Sequence, residues 1–208
     1  MNRVPEILLC VVLGVVTLPF FLIACMIVLW SVGAPLMFSQ PRCGLSGRIF
    51  QLFKLRSMSD ARGPDGALLP DDQRQTRATA IIRRLRLDEI PQLLLILQGH
   101  MALVGPRPLL PETIESFGPQ GQYRCSVRPG LTGWAQVSGN TNLDNQEKLT
   151  LDLWYVAHRS TILDLRIMAE TVGVAIRGEH RRIDRIDAAL QWLKDQPPAK
   201  SSLKRTPA

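Results

Sequence analysis

Apolar side chains are concentrated at the start of the chain. The stretch Ile7–Trp30 reads ILLCVVLGVVTLPFFLIACMIVLW, and no charged side chain occurs between Glu6 and Arg42. At about 1.5 Å per residue, a helix of this length could cross a bilayer core of roughly 30 Å. The pattern therefore predicts a membrane-inserted segment over residues 1–38, followed by a domain with a more polar sequence.

Three topologies are compatible with this segment. A cleaved signal peptide is disfavoured, because the apolar core is too long and Pro35 follows the only suitable cleavage residue, Ala34. A single span is the default, whereas a re-entrant segment would use Pro19 to interrupt the helix and return both ends to one side. The physics of the run alone favours the span. Basic residues follow the run closely and place the next domain in the cytoplasm; they are Arg42, Arg48, Lys54 and Arg56.

The region after the membrane segment mixes short apolar runs with turn residues. Residues 39–72 are punctuated by proline and glycine, which predicts an extended, turn-rich region. Within it, RIFQLFKLRSM alternates enough to form a short strand or hairpin that carries Lys54 and Arg56.

Helical periodicity dominates the rest of the chain. One helix is predicted over residues 72–87, and a second, buried helix begins near Pro91 and ends at Gly99. Further helices are predicted over 146–158, 161–177 and 183–194. The helix over 161–177 is apolar enough to lie against a membrane surface or on the core.

Two segments between these helices are predicted to be non-helical. MALVGPRPLLPE contains three prolines, which predicts a tight loop that holds Arg107 rigidly between two of them. VRPGLTGWAQVSGN places Arg128 before a Pro-Gly turn and is predicted to run extended through WAQV. The whole pattern predicts an α+β, mostly helical fold, with one compact domain over residues 39–195 and a disordered tail over 196–208.

Composition and charge narrow the class of protein. The chain has 208 residues, of which 46% are apolar and 21% charged, and this excludes a disordered or collagen-like chain. The net charge of +7 predicts an anionic partner, such as a phosphate group, a nucleic acid or an acidic lipid surface. The sequence contains no C-x-x-C spacing that would indicate a zinc site. Unpaired cysteines fit a domain that faces the cytoplasm. The cysteines are Cys10, Cys25, Cys43 and Cys125.

An acidic pair is the main candidate for chemistry. Asp88 and Glu89 lie at or just before the start of the second predicted helix. Acidic residues there complement the helix dipole, but a helix N-terminus also favours phosphate. Arginines surround the pair in the sequence, and a guanidinium suits phosphate recognition. These arginines are Arg83, Arg84, Arg86 and Arg107.

Five motifs, taken in order, resemble a known family. They are an apolar segment with a central proline, FKLRSMSD, RLRLDEIPQLLLILQGHMALVGPRPLLPE, VRPGLTGWAQVSGN and LTLDLWYV. They resemble the bacterial sugar transferases, and more closely the small monotopic phosphoglycosyl transferases, from about residue 2 to 178. The resemblance implies transfer of a sugar-1-phosphate from a nucleoside-diphosphate sugar, usually a UDP-sugar, to polyprenyl (undecaprenyl) phosphate, with release of UMP.

The resemblance also implies roles for individual residues. Asp88 would be the nucleophile that forms a covalent phosphosugar intermediate, and Glu89 would be tied to Mg²⁺. Three cations would line the site: Lys54, Arg83 and Arg107. We predict further substrate-binding residues at Arg56, Pro106, Arg128, Thr132 and Gln136.

The family's topology reverses the preference for a span. The resemblance implies a re-entrant segment kinked at Pro19, with both ends and the catalytic domain on the cytoplasmic face of the bacterial inner membrane. It implies a first membrane step in the assembly of a surface glycan, exopolysaccharide or glycoprotein.

Three other functions compete with this prediction. A membrane-anchored nucleic-acid binder is disfavoured, because its arginines would not be paired with an acidic dyad and proline-fixed loops. An inactive scaffold is disfavoured by the presence of every expected site residue. A phosphohydrolase that uses the same aspartyl intermediate is the nearest chemical rival.

Overall fold

The computed structural model of the protein describes residues 3–70 and 73–195. It is mostly helical, with two small sheets, as the sequence predicts. The helices are α1 (Arg3–Ser31), α2 (Arg77–Arg84), α3 (Gln92–Leu97), α4 (Pro111–Ser116), α5 (Gly118–Arg124), α6 (Trp134–Val137), α7 (Asn145–His158), α8 (Thr161–Arg177) and α9 (Ile183–Asp195). The strands are β1 (Met37–Cys43), β2 (Ile49–Leu55), β3 (Ala102–Val104) and β4 (Gly130–Thr132).

Helix α1 is long and largely bare of protein contacts. In the described part of the chain it is the one helix whose length and apolar composition would suffice to cross a membrane. Leu8 is 66% exposed and Val15 is 68% exposed, so apolar side chains cover the free faces of the helix. The helix runs through Pro19 to Ser31 without the interruption predicted at that proline.

The N-terminal end of α1 is anchored to the rest of the domain by polar contacts. Glu6 is 2% exposed and accepts a hydrogen bond from the backbone amide of Leu103 at 3.0 Å. Arg128 donates to the other carboxylate oxygen of Glu6 at 2.9 Å. Arg3 donates to the carbonyl of Leu97 at 2.8 Å. A charged residue at the edge of the apolar run is therefore a docking contact.

The C-terminal half of α1 packs on the same domain through apolar side chains. Ala24 and Val28 are buried against Leu55 of β2 and Ile82 of α2. The buried residues Glu6, Cys10, Ala24 and Val28 all lie on one stripe of the helix. Both ends of α1 therefore contact one domain.

The predicted strand region forms a hairpin. Strands β1 and β2 pair antiparallel, with Phe38 opposite Lys54 and Arg42 opposite Phe50. Residues opposite each other share one face of the hairpin, so Arg42 and Lys54 lie on the same face. RIFQLFKLRSM, predicted as a short strand or hairpin that carries Lys54 and Arg56, supplies the single strand β2 with Lys54, whereas Arg56 follows its end and the partner strand comes from the preceding residues.

The helix predicted over 72–87 is shorter than expected. Helix α2 begins after Thr76, which forms a reciprocal capping box with Thr79, and it ends at Arg84. Arg86 then adopts a left-handed backbone with φ of 56°, and this residue separates α2 from the turn that carries the acidic pair. The helix predicted from Pro91 is confirmed as α3.

Two predicted non-helical segments contain regular structure. Residues Ala102–Val104 of the predicted tight loop form β3, which pairs parallel with β4. The predicted extended WAQV is wrong, because Trp134–Val137 form the short helix α6. Its first residue stacks on Trp154 with ring centroids 5.3 Å apart, so packing against α7 accompanies the helical conformation.

Glycines let the loops after β3 and around β4 approach each other. A side chain at Gly130 or Gly133 would overlap the backbone of Gly105, and a side chain at Gly105 would overlap the carbonyl of Arg128. The amide of Gly130 donates to the carbonyl of Pro106 at 2.9 Å. This backbone contact fixes the start of the loop that carries Arg107.

The three C-terminal helices match their predictions closely. Helices α7, α8 and α9 begin within one residue of the predicted starts and end within one residue of the predicted ends. Asp144 and Ser160 cap α7 and α8 with side-chain hydrogen bonds. The predicted tail over 196–208 lies outside the described residues.

Candidate functional site

The acidic pair lies in a 3-10 turn, Leu87–Glu89, that precedes α3. Both carboxylates are nearly buried, since Asp88 is 8% exposed and Glu89 is 5% exposed. No side chain caps this turn. The pair therefore lies in its own turn before α3, and a capping role for Asp88 does not explain its position.

Glu89 is held by three cations. Its Oε1 atom accepts hydrogen bonds from Lys54 at 2.8 Å and from Arg107 at 2.6 Å. Its Oε2 atom lies 3.4 Å from Arg86. Burial alone would raise the pKa of Glu89, but these cations hold that pKa well below its ordinary value. Glu89 is therefore an ionised, fixed carboxylate.

Asp88 has the opposite surroundings. No other described residue donates a hydrogen bond to its carboxylate. Burial, followed by the charge of Glu89, raises the pKa of Asp88, while Lys54 and Arg83 lower it, and together these effects bring it to about 6. At neutral pH the carboxylate remains mostly ionised and is free to act on a ligand.

Two of the predicted cations occupy well-defined places around the pair. Lys54 projects from β2, and Arg107 projects from the loop after β3. Arg83, the third, lies close enough to lower the pKa of Asp88, and its Nη1 atom lies 2.6 Å from Met58 Sδ. The structure thus brings together the five residues predicted to be catalytic.

A buried ion pair supports the Arg107 loop from behind. Arg124 contacts Asp152 with nitrogen–oxygen distances of 2.8 Å and 2.7 Å, and both side chains are almost completely buried. Arg124 also donates to the carbonyl of Arg107. The chain Asp152–Arg124–Arg107–Glu89 therefore links the core to the acidic pair.

The structure gives other partners to the predicted substrate-binding residues. Arg56 pairs with Asp60 at 2.6 Å and donates to the carbonyl of Ala34 at 3.0 Å. Pro106 is almost fully buried in the backbone contact with Gly130. These contacts stabilise the loops that connect helices and strands. No described contact joins Arg56 or Pro106 to the acidic pair.

The other three predicted substrate-binding residues also make structural contacts. Thr132 shares a hydrogen bond of 2.6 Å with Thr171 of α8. Gln136 is buried and donates to the carbonyl of Leu131 at 3.0 Å. Arg128 pairs with Glu6 and lines a separate cavity of about 310 Å³. Their binding roles stay predictions, and Gln136 Oε1 is buried without a hydrogen-bond partner among the described residues.

Arg42 and Gln92 were not predicted as site residues, and Arg86 was named only among the arginines around the acidic pair. Arg86 joins Glu89 to Glu179, which in turn accepts hydrogen bonds from the Asn140–Thr141 loop. Arg42 and Gln92 line a small cavity beside Lys54 and Arg107. Arg42 could have been found from the register of the hairpin, and Gln92 from its spacing of four residues after Asp88.

The donor set fits magnesium only in part. In the described ranges, no group of three or more His, Cys, Asp or Glu side chains is placed to hold a metal ion. Mg²⁺ prefers oxygen ligands and accepts one or two carboxylates together with substrate phosphates. Glu89 Oε2 has only one long contact, and the Asp88 carboxylate is free, so the two fit the protein part of such a site.

Comparison with known proteins identifies a family. Residues 1–178 match the bacterial sugar transferase family. Among curated proteins, the chain is 44% identical over 149 residues to an uncharacterized sugar transferase, EpsL, of Bacillus subtilis, covering 72% of this chain and 74% of that protein.

Two further relatives have more specific names. The chain is 35% identical over 168 residues to the UDP-N-acetylgalactosamine-undecaprenyl-phosphate N-acetylgalactosaminephosphotransferase of Aeromonas hydrophila, covering 77% of this chain but only 40% of that protein. It is 30% identical over 186 residues to the exopolysaccharide production protein ExoY of Sinorhizobium fredii, covering 80% of this chain and 81% of that protein. The chain therefore matches some relatives over most of their length and others over less than half.

Proposed function

The chain belongs to the bacterial sugar transferase family, and on that premise we propose that it moves a sugar-1-phosphate from a UDP-sugar to polyprenyl phosphate and releases UMP. As a member of this family it is a sugar-phosphate transferase, and one of its relatives is named for exopolysaccharide production. The observation that carries the proposal is the contrast between a fixed Glu89 and a free Asp88 at a cluster of cations.

Asp88 is the nucleophile in this proposal. Its carboxylate oxygen attacks the sugar-linked phosphorus of the donor, the bond between that phosphorus and the bridging oxygen breaks, and UMP leaves with the bonding electrons. This forms an acyl phosphate that joins Asp88 to the phosphosugar. The free carboxylate of Asp88 supports this role, whereas Glu89 is committed to Lys54 and Arg107.

The acceptor completes the reaction. An oxygen of polyprenyl phosphate attacks the same phosphorus, the acyl phosphate bond breaks, and Asp88 is restored as a carboxylate. The product is a polyprenyl-diphosphate sugar. Each step moves one phosphorus between two oxygens, so no oxidant or additional proton donor is required.

The surrounding cations make attack by an anion on a diphosphate feasible. A carboxylate and a diphosphate repel each other unless positive charge lies where the negative charge builds up. Lys54, Arg83 and Arg107 supply that charge from three separate elements, and Arg107 is held rigidly through Arg124. Mg²⁺, when bound through Glu89 and substrate phosphates, would supply further neutralisation of phosphate charge.

The contacts of α1 support a topology in which both of its ends lie on one side of the membrane. Its first two turns contact Leu97, Leu103 and Arg128, and its last turns contact Leu55 and Ile82. A helix that crossed the bilayer would separate its ends by roughly 30 Å of hydrocarbon, and one domain could not contact both. We therefore propose a monotopic insertion, with the bare faces of α1 in lipid.

Two features support the proposed location of this insertion. Basic residues follow α1 closely, and the positive-inside rule assigns them to the cytoplasm. Helix α8 exposes Ile162 by 80% and Ile176 by 74%, which gives the domain a second apolar surface. The proposed location is the cytoplasmic face of the inner membrane, where nucleotide sugars and polyprenyl phosphate meet.

The decisive experiment measures UMP release from a panel of UDP-sugars, with and without polyprenyl phosphate. Without the acceptor we expect about one UMP per enzyme molecule, because the acyl phosphate then persists. With the acceptor we expect repeated turnover. Repeated turnover without polyprenyl phosphate would indicate that water resolves the intermediate and that the chain is a phosphohydrolase. No UMP from any sugar would exclude the proposed donor class.

A further inference from the structure

A small cavity adjoins the acidic pair on the side of the β-hairpin. It has a volume of about 20 Å³ and is lined by Arg42, Leu52, Lys54, Gln92, Arg107 and Pro108. A volume of roughly 10–15 Å³ is enough to hold one water-sized atom. The cavity can therefore accept a single oxygen atom but not a larger group.

Two buried donors in this cavity have no partner. Gln92 is 3% exposed, and its Nε2 atom makes no hydrogen bond to any described residue. The Nε atom of Arg42 is also buried without a partner, although its Nη2 atom donates to Gln40 at 2.6 Å. Leaving a buried donor unpaired is unfavourable, so native structures usually supply an acceptor from a ligand or water.

The charge around the cavity selects an anionic acceptor. Lys54 and Arg107 already share Glu89 Oε1, and Arg42 adds a third cation whose pKa is lowered by burial and by the nearby Arg107. Like charges at short range destabilise each other unless an anion lies between them. An oxygen atom with partial negative charge would satisfy both unpaired donors and reduce this repulsion.

We propose that Arg42 and Gln92 bind one non-bridging phosphate oxygen of a substrate, with Lys54 and Arg107 on the same oxygen or its neighbour. The inference rests on the proposed function, because that function supplies the phosphate. Two substrates carry such an oxygen: the nucleotide donor and the polyprenyl phosphate acceptor. In the free enzyme a water molecule can occupy the same position.

The test uses Gln92→Leu, which keeps the volume of the side chain but removes the donor. Because Nε2 has no partner in the described structure, we expect the melting temperature to stay the same or rise. The affinity for UDP, measured by calorimetry, should fall about tenfold or more, whereas the affinity for uridine should not change. Gln98→Leu, at the exposed end of the same helix, is the matched control.

A second measurement separates the two sources of the oxygen. If the donor supplies it, UDP binding weakens as stated. If the acceptor supplies it, UDP binding is unchanged and the KM for polyprenyl phosphate rises about tenfold at saturating donor. Arg42→Lys keeps the charge but loses the Nε donor, and it should weaken the same substrate as Gln92→Leu.

Two results would overturn the inference. One is that neither variant changes UDP affinity or the acceptor KM. The other is that Gln92→Leu lowers the melting temperature while Arg42→Lys binds both substrates normally, which would make Gln92 a structural residue. Wild-type protein that releases no UMP from any UDP-sugar would instead refute the proposed function, so the two failures are distinguishable.

Discussion

Asp88 and Glu89 are adjacent in one 3-10 turn, yet the pKa values of their carboxylates are shifted in opposite directions. Glu89 accepts hydrogen bonds from Lys54 and Arg107, which hold its pKa far below the ordinary value. Asp88 receives no such bond from any other described residue, and its pKa is raised to about 6, chiefly by burial. A pair of acidic residues is thereby divided into one fixed group and one group that remains available for reaction.

Replacing Asp88 with asparagine should abolish transfer while leaving the fold intact. An amide cannot form the acyl phosphate, so we expect turnover to fall by at least about a thousandfold. The melting temperature should not decrease, because the Asp88 side chain caps no helix and its burial as a charge is unfavourable. The checks are UMP release and thermal unfolding in detergent.

The same mechanism predicts a covalent intermediate. Brief incubation of wild-type protein with a UDP-sugar labelled in the sugar should leave label on a peptide that contains Asp88. Label on a different peptide, or turnover retained by Asp88→Asn, would rule out this nucleophile.

Replacing Glu89 with glutamine should reduce turnover strongly and change its dependence on magnesium. Glutamine keeps the shape of the side chain but loses the charge that holds Lys54 and Arg107. We expect chelation to abolish wild-type activity and added Mg²⁺ to restore it, whereas the variant should need much more Mg²⁺. A variant with normal activity at limiting Mg²⁺ would remove Glu89 from the metal site.

The ion pair of Arg124 and Asp152 behind the Arg107 loop should stabilise the fold only when both of its members are present. Arg124→Met leaves Asp152 buried without its counter-charge, and we expect a loss of about 3–5 kcal/mol in the free energy of unfolding. The double variant Arg124→Met, Asp152→Leu should recover much of that stability but not the activity, because the carbonyl of Arg107 still lacks its donor. Denaturant unfolding and UMP release measure the two effects, and full recovery of activity would contradict the positioning role.

The contact between Glu6 and Arg128 should matter for stability more than for substrate binding. Glu6→Ala leaves the buried backbone amide of Leu103 unpaired and leaves Arg128 with only its hydrogen bond to the carbonyl of Met101, so we expect a loss of about 3 kcal/mol in the free energy of unfolding. The exposed Glu115→Ala is the control. If Arg128 instead binds substrate, Arg128→Met will raise the KM for the donor while Glu6→Ala leaves it unchanged.

Both ends of α1 should be accessible from the cytoplasm. A protease-sensitive tag placed before the N-terminus should resist protease added to intact spheroplasts and should be cleaved in inverted membrane vesicles. A tag at the C-terminus reports the side of the domain and should behave in the same way. Cleavage of the N-terminal tag alone in spheroplasts would establish a full span.

The long helices could be predicted from the sequence because their signals are local. Capping residues and apolar periodicity fix α7 and α8, and the periodic pattern alone sufficed for α9. The short elements could not be predicted in this way. Helix α6 is four residues long and packs on Trp154, and β3 exists through its pairing with a strand about 28 residues later, from Ala102 to Gly130. Such elements depend on contacts that are distant in the sequence.

The residues of the site also fall into those that local motifs predict and those that depend on contacts distant in the sequence. The five residues predicted to be catalytic cluster at the acidic pair, and they could be named because the motifs that carry the family resemblance contain them. Arg42 and Gln92 were missed because neither stands in a charged motif, and only the hairpin register and the turn before α3 bring them to the cavity. Arg128, Thr132 and Gln136 lie in a conspicuous motif, but their contacts are those of structural residues.

The backbone contact among Gly105, Gly130 and Gly133 limits how this protein can be redesigned. Because each of these residues already lacks a side chain, a larger residue at one position cannot be accommodated by a smaller residue at another. A library that randomises all three together should return glycine at every position, without compensated pairs. Substitutions that alter substrate preference must therefore be sought elsewhere in the protein, since successive single substitutions at these glycines cannot change the conformation of the loop that carries Arg107.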